Sequence, residues 1–434
     1  MAVPSADNPF ERAEAGIPRR RWRIAWLLGA GVIVSYFDRV NLTVSHDALV
    51  RSFGLSAIAF GYLAGAYNWT YALCQLPIGV LLDRFGVRPV VRLGILLWSA
   101  ASFAAGLAPG VPAFLSARLL LGVGEAPVFP ANAKAIGLWF PAEERSLATA
   151  MFDASAKLAS AIGVPLIGLL LLHIGWRWSF AFTGGLSLVY FFVFAAVYRD
   201  PDEDASLSHA ERALIDHGAA AGDSASMELQ LPLGDLLQQP KVIGLALGFG
   251  AYNYVFYLLL TWLPVYLSSA MRISAERSFL YTGVAWLVAA AADLLVGGWL
   301  ADALIQRGRD ASRVRSAILI GGTTCGLGIL VASHVHAPVA ALFWISVCIA
   351  GLSAAAPIGW SIPSLIVPRG SVGAVGGIVN FSNQLSGIAA PVVTGYLVAR
   401  HGSFSSAFAV AAAYLVVGIL SYVFLLGRIE AIRS

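Results

Sequence analysis

The chain has 434 residues, of which 58% are hydrophobic and only 12% charged, with a formal net charge of +4. A soluble domain carries about 25% charged residues, so this shortfall, with a mean hydropathy of +0.76, excludes an ordinary water-soluble enzyme and points to a polytopic membrane protein. The three cysteines, Cys74, Cys325 and Cys348, stand far apart inside apolar segments, which suggests neither a disulfide framework nor a metal site.

Residues 1–21 form a polar tail with no apolar core followed by a cleavage site, so the first hydrophobic segment is expected to be a retained span. A span needs about 20 mostly apolar residues. Twelve such segments follow in order, at 22–49, 57–82, 89–108, 112–139, 146–172, 176–198, 241–267, 277–303, 314–333, 338–362, 371–398 and 403–427. The polar stretch 199–240 divides them into a bundle of six over 22–198 and another over 241–427, with a closing tail at 428–434. The expected fold is an all-α polytopic membrane protein of 12 transmembrane helices in two six-helix, pseudo-symmetric halves. Most of the Lys and Arg residues fall in the tails and the even-to-odd loops. Arg51, Arg177, Arg272, Arg277 and Arg400 stand on the opposite side, and Arg39, Arg118, Lys134 and Lys157 stand within spans. This bias predicts that both termini face the cytoplasm, from the cell's inner membrane. Basic charges scattered over short loops do not make a nucleic-acid surface.

The two halves repeat one another. Gly79 and Asp83 of GVLLDRFGVR recur as Gly298 and Asp302 of GGWLADALIQRG, 219 residues on in both cases, and the proline of PLIG in span five has a counterpart in PVVTG of span eleven. Two parallel six-span halves around a central site are a transporter plan. The loop G-x-L-x-D-R-x-G, here Gly79, Leu81, Asp83, Arg84 and Gly86, resembles the signature of the major facilitator superfamily. More narrowly, YFDRVNL in span one, RLLLGVGEAPVFPANAKAIGLWFP in span four and GWRWSFAFTG opening span six resemble the anion:cation symporter family, which includes carriers of sugar acids, tartrate and phthalate as well as sialin.

Charged residues inside spans are costly, roughly 2.5 to 3.5 kcal/mol each on insertion scales. Asp38 and Arg39 are adjacent, about 100° apart around the helix, so each needs its own partner. The forked guanidinium of Arg39 suits a carboxylate, whereas Asp38 can shed its charge by taking a proton. In span four, Arg118 and Glu125 are seven residues apart and share a helix face, with Pro127 and Pro130 expected to bend the helix beside the carboxyl. The proton affinity of Glu125 should then depend on where Arg118 or Arg39 is engaged, and the family resemblance implies that this glutamate is the coupling proton site. In span five Asp153 and Lys157 can pair at i,i+4, as a brace or with Lys157 as a second cation for the ligand. The lysine departs from the resembled sugar-acid carriers. Tyr36, Tyr71, Asn253, Tyr257, Asn380, Asn383 and Gln384 offer hydrogen bonds to hydroxyls or carboxylate, and Tyr257 stands 219 residues after Asp38. Asp293 ranks lower because no cation is near it in sequence. Asp83, Arg84 and Asp302 are read as a cytoplasmic gate, and no histidine is given a role.

The sequence has no Gly-Lys dipeptide, hence no phosphate-cradling loop, and no H-E-x-x-H, so neither an ATP-driven pump nor a metalloenzyme is expected, and no cofactor or metal. The expected function is proton-coupled symport of a small organic anion, a sugar acid such as hexuronate, galactonate or glucarate, by a monomer in the bilayer. The alternatives are an uncoupled facilitator or anion exchanger, or a tartrate or aromatic-carboxylate carrier.

Overall fold

A computed structural model describes residues 19–141, 144–215 and 231–432 of the chain. Most of the expected first tail, the middle of the expected 199–240 loop and the last two residues lie outside the described residues.

The apolar runs form helices α1 (Arg20–Val44), α2 (Ala57–Phe85), α3 (Val87–Leu107) and α4 (Val111–Glu125, continued by Val128–Trp139). A continuous helix, Arg145–Val197, is two spans, α5 (145–174) and α6 (176–197), because Gly175 turns the chain with φ 79°. The second half comprises α7 (Pro240–Val265), α8 (Ala275–Ala292, then a π-helical Asp293–Leu300 and Ala301–Gln306), α9 (Ala311–Cys325, then Gly328–Ala332), α10 (Pro338–Ser361), α11 (Arg369–His401) and α12 (Ser405–Ser421, then Tyr422–Leu426). Among the described residues nine helices are long and apolar enough to cross a membrane, or ten if His46–Phe53 and Ala57–Gln75 are one bent span. Dividing Met151–Val197 at Gly175 and adding the 33-residue α11 accounts for all twelve. The expected first span, 22–49, is shorter than predicted. The helix stops at Val44, and a separate helix, His46–Phe53, runs at 119° to the start of α2. The polar triplet Ser45-His46-Asp47 marks where the chain leaves the apolar layer, and Gly54 (φ 64°) ends the short helix in the left-handed region.

Both ends of the described chain, residues 19 and 432, lie on what we call the terminal face, and the α1–α2 and α11–α12 connections on the distal face. On the terminal face Arg20 bonds to Asp204 (2.9 Å), and Arg21 to Glu144 (2.7 Å) and Glu211 (3.1 Å). These pairs fasten the start of α1 to α5 and to the segment after α6.

The halves meet through α2 against α11 and α5 against α8, and small residues make the approach possible. A side chain on Gly61 would meet the Pro391 carbonyl at 2.6 Å, and one on Gly395 the Ala57 carbonyl at 2.5 Å. On the other seam Gly283 faces Ala161 and Pro165, and Gly168 faces the Phe279 ring. All of these contacts lie in the distal halves of their helices. Towards the terminal face the helices diverge: Gly79 of α2 and Gly373, Gly376 and Gly377 of α11 have open space where a side chain would stand. The molecule is closed distally and open at the terminal face. A Gly61→Val substitution should wedge the closed side apart. Overpacking of this kind costs roughly 1 to 3 kcal/mol, enough to shift the equilibrium about 5- to 150-fold towards the distally open form. Alkylation of a cysteine placed at Phe60, which is buried against Trp262 of the other half at 5.3 Å between rings, should accelerate accordingly.

Candidate functional site between the halves

The site is built around the end of the first part of α4. Gly122 has no room for a side chain, which would strike Thr70 Oγ1 and the Tyr67 carbonyl of α2. Gly124 is equally close to the Trp98 backbone of α3. These glycines let α2, α3 and α4 touch backbone to backbone, and the Thr70 hydroxyl locks the approach by donating to the Leu119 carbonyl at 2.7 Å. Pro127 and Pro130 then interrupt the helix between Glu125 and Val128, because neither can donate to the preceding turn. Glu125 is therefore held at a helix break, fully buried, between α1 and α2.

Arg39 Nε donates to Glu125 Oε2 at 2.8 Å, and the Tyr67 hydroxyl donates to the same oxygen at 3.0 Å. The guanidinium is lined by aromatic rings, with Tyr36 at 4.4 Å, Tyr67 at 4.7 Å and Tyr71 at 5.6 Å from Arg39 Cζ. Such stacking suits the weakly hydrated guanidinium. The pair is incomplete: Glu125 Oε1 and Arg39 Nη2 are buried and find no hydrogen-bond partner. Arg118 also lies near the Tyr67 ring, at 5.7 Å. Its polar contact is a long hydrogen bond to the Asp38 carbonyl (3.5 Å), its Nε is unsatisfied, and no carboxylate of the described residues lies within ion-pair distance of it. Arg39, Arg118, Tyr67 and Asn68 from the first half and Tyr257 and Thr261 from the second line one small cavity. A cation without a counter-ion and a cation with a spare donor thus face a common space between the halves, and the second of them is paired with a buried carboxylate that has a spare oxygen. A Tyr67→Phe protein keeps the ring and loses the bond to Glu125. Hydrogen bonds to charged groups are worth about 1.5 to 3 kcal/mol, so its thermal midpoint should fall by a few degrees in a detergent melting assay.

Asp38 points elsewhere. Its carboxylate accepts from Ser102 Oγ of α3 (2.6 Å) and Ser187 Oγ of α6 (3.1 Å) and lies inside the first bundle, 1% exposed. Lys157 is bonded to Asp153 (2.6 Å), and its Nζ also lies 2.6 Å from Asp293 Oδ2 of α8. The cation of Lys157 is therefore already matched by two carboxylates. Asn253 of α7 donates to the Asn383 carbonyl of α11 (2.6 Å), while Asn383 Oδ1 and Gln384 Oε1 stay buried and unpaired. Asn380 is on the same helix and half-buried. The expected gate residues are not joined to one another. Asp83 Oδ1 accepts from Lys134 (2.8 Å) within the first half, Arg84 lies over Phe85, and Asp302 is exposed.

Four contributors, Tyr67, Asn68, Ser102 and Ser187, were not singled out in the sequence. Tyr67 is one turn before Tyr71, an i,i+4 relation that marks a shared face. Asn68 donates to the Gly387 carbonyl across the halves at 3.0 Å. The serines that hold Asp38 carry no comparable signal, since serine is common in membrane helices for packing reasons.

Two six-helix bundles meeting around a buried, ion-paired cavity, open on one face and closed on the other, define the class of alternating-access membrane carriers. Residues 28–391 match the Major Facilitator Superfamily, and the chain belongs to that family. It is a multi-pass membrane transporter and not an enzyme. It is 37% identical to the uncharacterized transporter YybO of Bacillus subtilis over 95% of each chain, and 31% identical to the D-galactonate transporter of Escherichia coli over 98% of this chain and all of that one. In fold it matches the crystal structure of a bacterial homologue of the human lysosomal transporter Spinster, in an inward-facing and occupied conformation. The TM-score is 0.73 at 18% identity, covering 95% of this chain and 99% of the other.

Proposed function

We propose that the protein moves a sugar acid together with a proton across the cytoplasmic membrane, by alternating access, as a monomer. The observation that carries this reading is a cavity between the halves lined by an unpaired Arg118 and by Arg39, whose partner is the buried Glu125. The four charges Asp38, Arg39, Arg118 and Glu125 sum to zero when all are ionised. Adding one carboxylate alone leaves the buried site with net negative charge; adding it with a proton on Glu125 does not. Protonation also frees Arg39 from Glu125, so that the two guanidiniums can take the substrate carboxylate together. The substrate's carboxylate thus binds where the pair opens. Tyr36, Tyr71, Tyr257, Asn253, Asn380, Asn383 and Gln384 supply hydrogen bonds to a polyhydroxylated chain. The likeness to a D-galactonate transporter supports a sugar acid over an aromatic one.

With both termini in the cytoplasm, as the distribution of Lys and Arg supports, the diverging terminal face opens inward. Asp83 with Lys134, Arg84 and Asp302 then belong to the cytoplasmic gate in its open state. Carrying one negative charge inward against 100 mV costs about 2.3 kcal/mol, which a co-transported proton cancels. Proteoliposomes holding the purified protein should concentrate labelled D-galactonate or another aldonate or hexuronate when the outside is acidified. A requirement for a trans anion would make the protein an exchanger, and equilibration without accumulation would make it a facilitator.

A further inference from the structure

The seam between α5 and α8 ends in a group of charges that the substrate site does not use. Lys157 and Asp153 belong to the first half and Asp293 to the second. The lysine is 3% and Asp293 4% exposed, and Asp153 is half-buried beside them. Lys157 Nζ donates to Asp153 Oδ2 at 2.6 Å and lies 2.6 Å from Asp293 Oδ2. That second approach falls outside hydrogen-bond geometry, and Asp293 Oδ2 receives no hydrogen bond from any described donor. Two carboxylates therefore share one ammonium, and with both ionised the group has a net charge of −1 in a region from which water is largely excluded. An uncompensated buried charge of this kind is relieved by taking a proton rather than carried. The remaining ionisable neighbours are tyrosines, Tyr36 of α1 and Tyr252 of α7. They offer no further cation.

Position adds to charge. Along this seam the distal packing of Gly168 on Phe279 and of Gly283 on Ala161 ends about one turn before Lys157, so the three charges stand where the closed part gives way to the opening. The backbone changes at the same point, because the π-helical stretch of α8 begins at Asp293. π-Helical turns inside α-helices concentrate at functional positions. We propose that Asp153, Lys157 and Asp293 form a second proton-binding site, built across the two halves and separate from Arg39 and Glu125, which holds one proton on a carboxyl group while the α5–α8 seam is closed. It needs no substrate, so it stands or falls independently of the anion the protein carries.

The test is infrared spectroscopy of the full-length protein in lipid at neutral pH without substrate, reading the carbonyl stretch of a protonated carboxylic acid. The background is Glu125→Gln with Asp38→Asn, which removes the two other membrane-buried acids. The expected result is one remaining protonated-acid band, shifted by deuterium exchange. Asp153→Asn and Asp293→Asn, added singly, each leave Lys157 with one carboxylate and no need for a proton, and each should abolish the band. Both leave an ion pair in place, and each variant is compared with its parent in a melting assay so that only folded protein is read. Absence of the band from the background protein, or its survival in either variant, overturns the proposal. Failure of the unsubstituted protein to transport any sugar acid, with the band intact, would instead count against the substrate reading and leave this site standing.

Discussion

Replacing Arg39 with lysine is expected to give a folded protein that binds its anion about 10²-fold more weakly, a loss of roughly 2 to 3 kcal/mol. Lysine keeps the charge opposite Glu125, so the buried carboxylate is not abandoned and the bundle should survive. What disappears is the fork. Arg39 engages Glu125 through Nε while Nη2 remains free, and only a planar guanidinium can hold one acid and present a second donor to another. The rings of Tyr36, Tyr67 and Tyr71 around Arg39 Cζ are also shaped to a flat cation. Arg39→Ala is a harsher change: leaving a buried charge without its partner costs about 3 to 5 kcal/mol, and that protein should lose stability along with binding. Arg118→Ala removes a cation that supports no ion pair, so it should cost binding with little loss of thermal midpoint. Isothermal titration with the transported sugar acid, beside a melting curve for each variant, separates the three cases. Wild-type affinity in Arg39→Lys would place the carboxylate on Arg118 alone.

The transmembrane pattern was legible because each apolar run is long enough to span and is punctuated by charge, proline or glycine, as at Gly175. The break at Ser45 was missed because the apolar run continues weakly through Ala48-Leu49-Val50, and hydrophobicity does not record a change of direction. At the site, the reasoning that Asp38 and Arg39 must look to different partners follows from helix geometry alone, and the structure gives Arg39 to Glu125 and Asp38 to two serines. Which partners they take could not be read. Arg39 and Glu125 are joined across two helices whose approach depends on the glycines of α4, and a glycine in sequence says only that something comes close. The same limit hid Asp293. Its cation is on the other half of the molecule, and only the packing of α5 on α8 brings it within reach. Lys157, which looked from its own helix like a lysine with one neutralising neighbour, is thereby a lysine with two.

A carrier of this kind has to prevent the empty, charged site from crossing in a form that dissipates the gradient. In the present state Arg39 is occupied by Glu125, so the unloaded cavity carries its own counter-ion and can reorient without an anion. Under the proposed function, loading by substrate and proton would replace one internal pair by another of equal total charge. In the proposed cycle the glutamate stands in for the substrate when the site is empty, and the proton displaces it when the substrate arrives. Both roles demand an ionisable group within hydrogen-bond reach of Arg39, and Glu125 at 2.8 Å meets that demand.

Glu125→Gln should accordingly uncouple transport without stopping it. The amide keeps the shape and can still accept from Arg39, but it has no proton to exchange and leaves the four-charge site at +1 when empty. That is the charge state in which the anion binds, so affinity should hold or rise, and exchange of labelled for unlabelled substrate at equal pH should continue within a few-fold of the wild-type rate. Net uptake should change in a way that has a size. For one proton per negative charge, transport is electroneutral and each unit of pH difference supports about tenfold accumulation, since one unit corresponds to about 1.4 kcal/mol. In Glu125→Gln the anion crosses as a bare charge. An interior at −100 mV then opposes it by about 2.3 kcal/mol and holds the internal concentration about 50-fold below the external one. Imposing a pH gradient and a potassium diffusion potential separately on proteoliposomes distinguishes the two proteins. The wild type should respond to the first and ignore the second, and the variant should do the reverse. Accumulation by Glu125→Gln in response to pH alone would move the coupling proton to another residue.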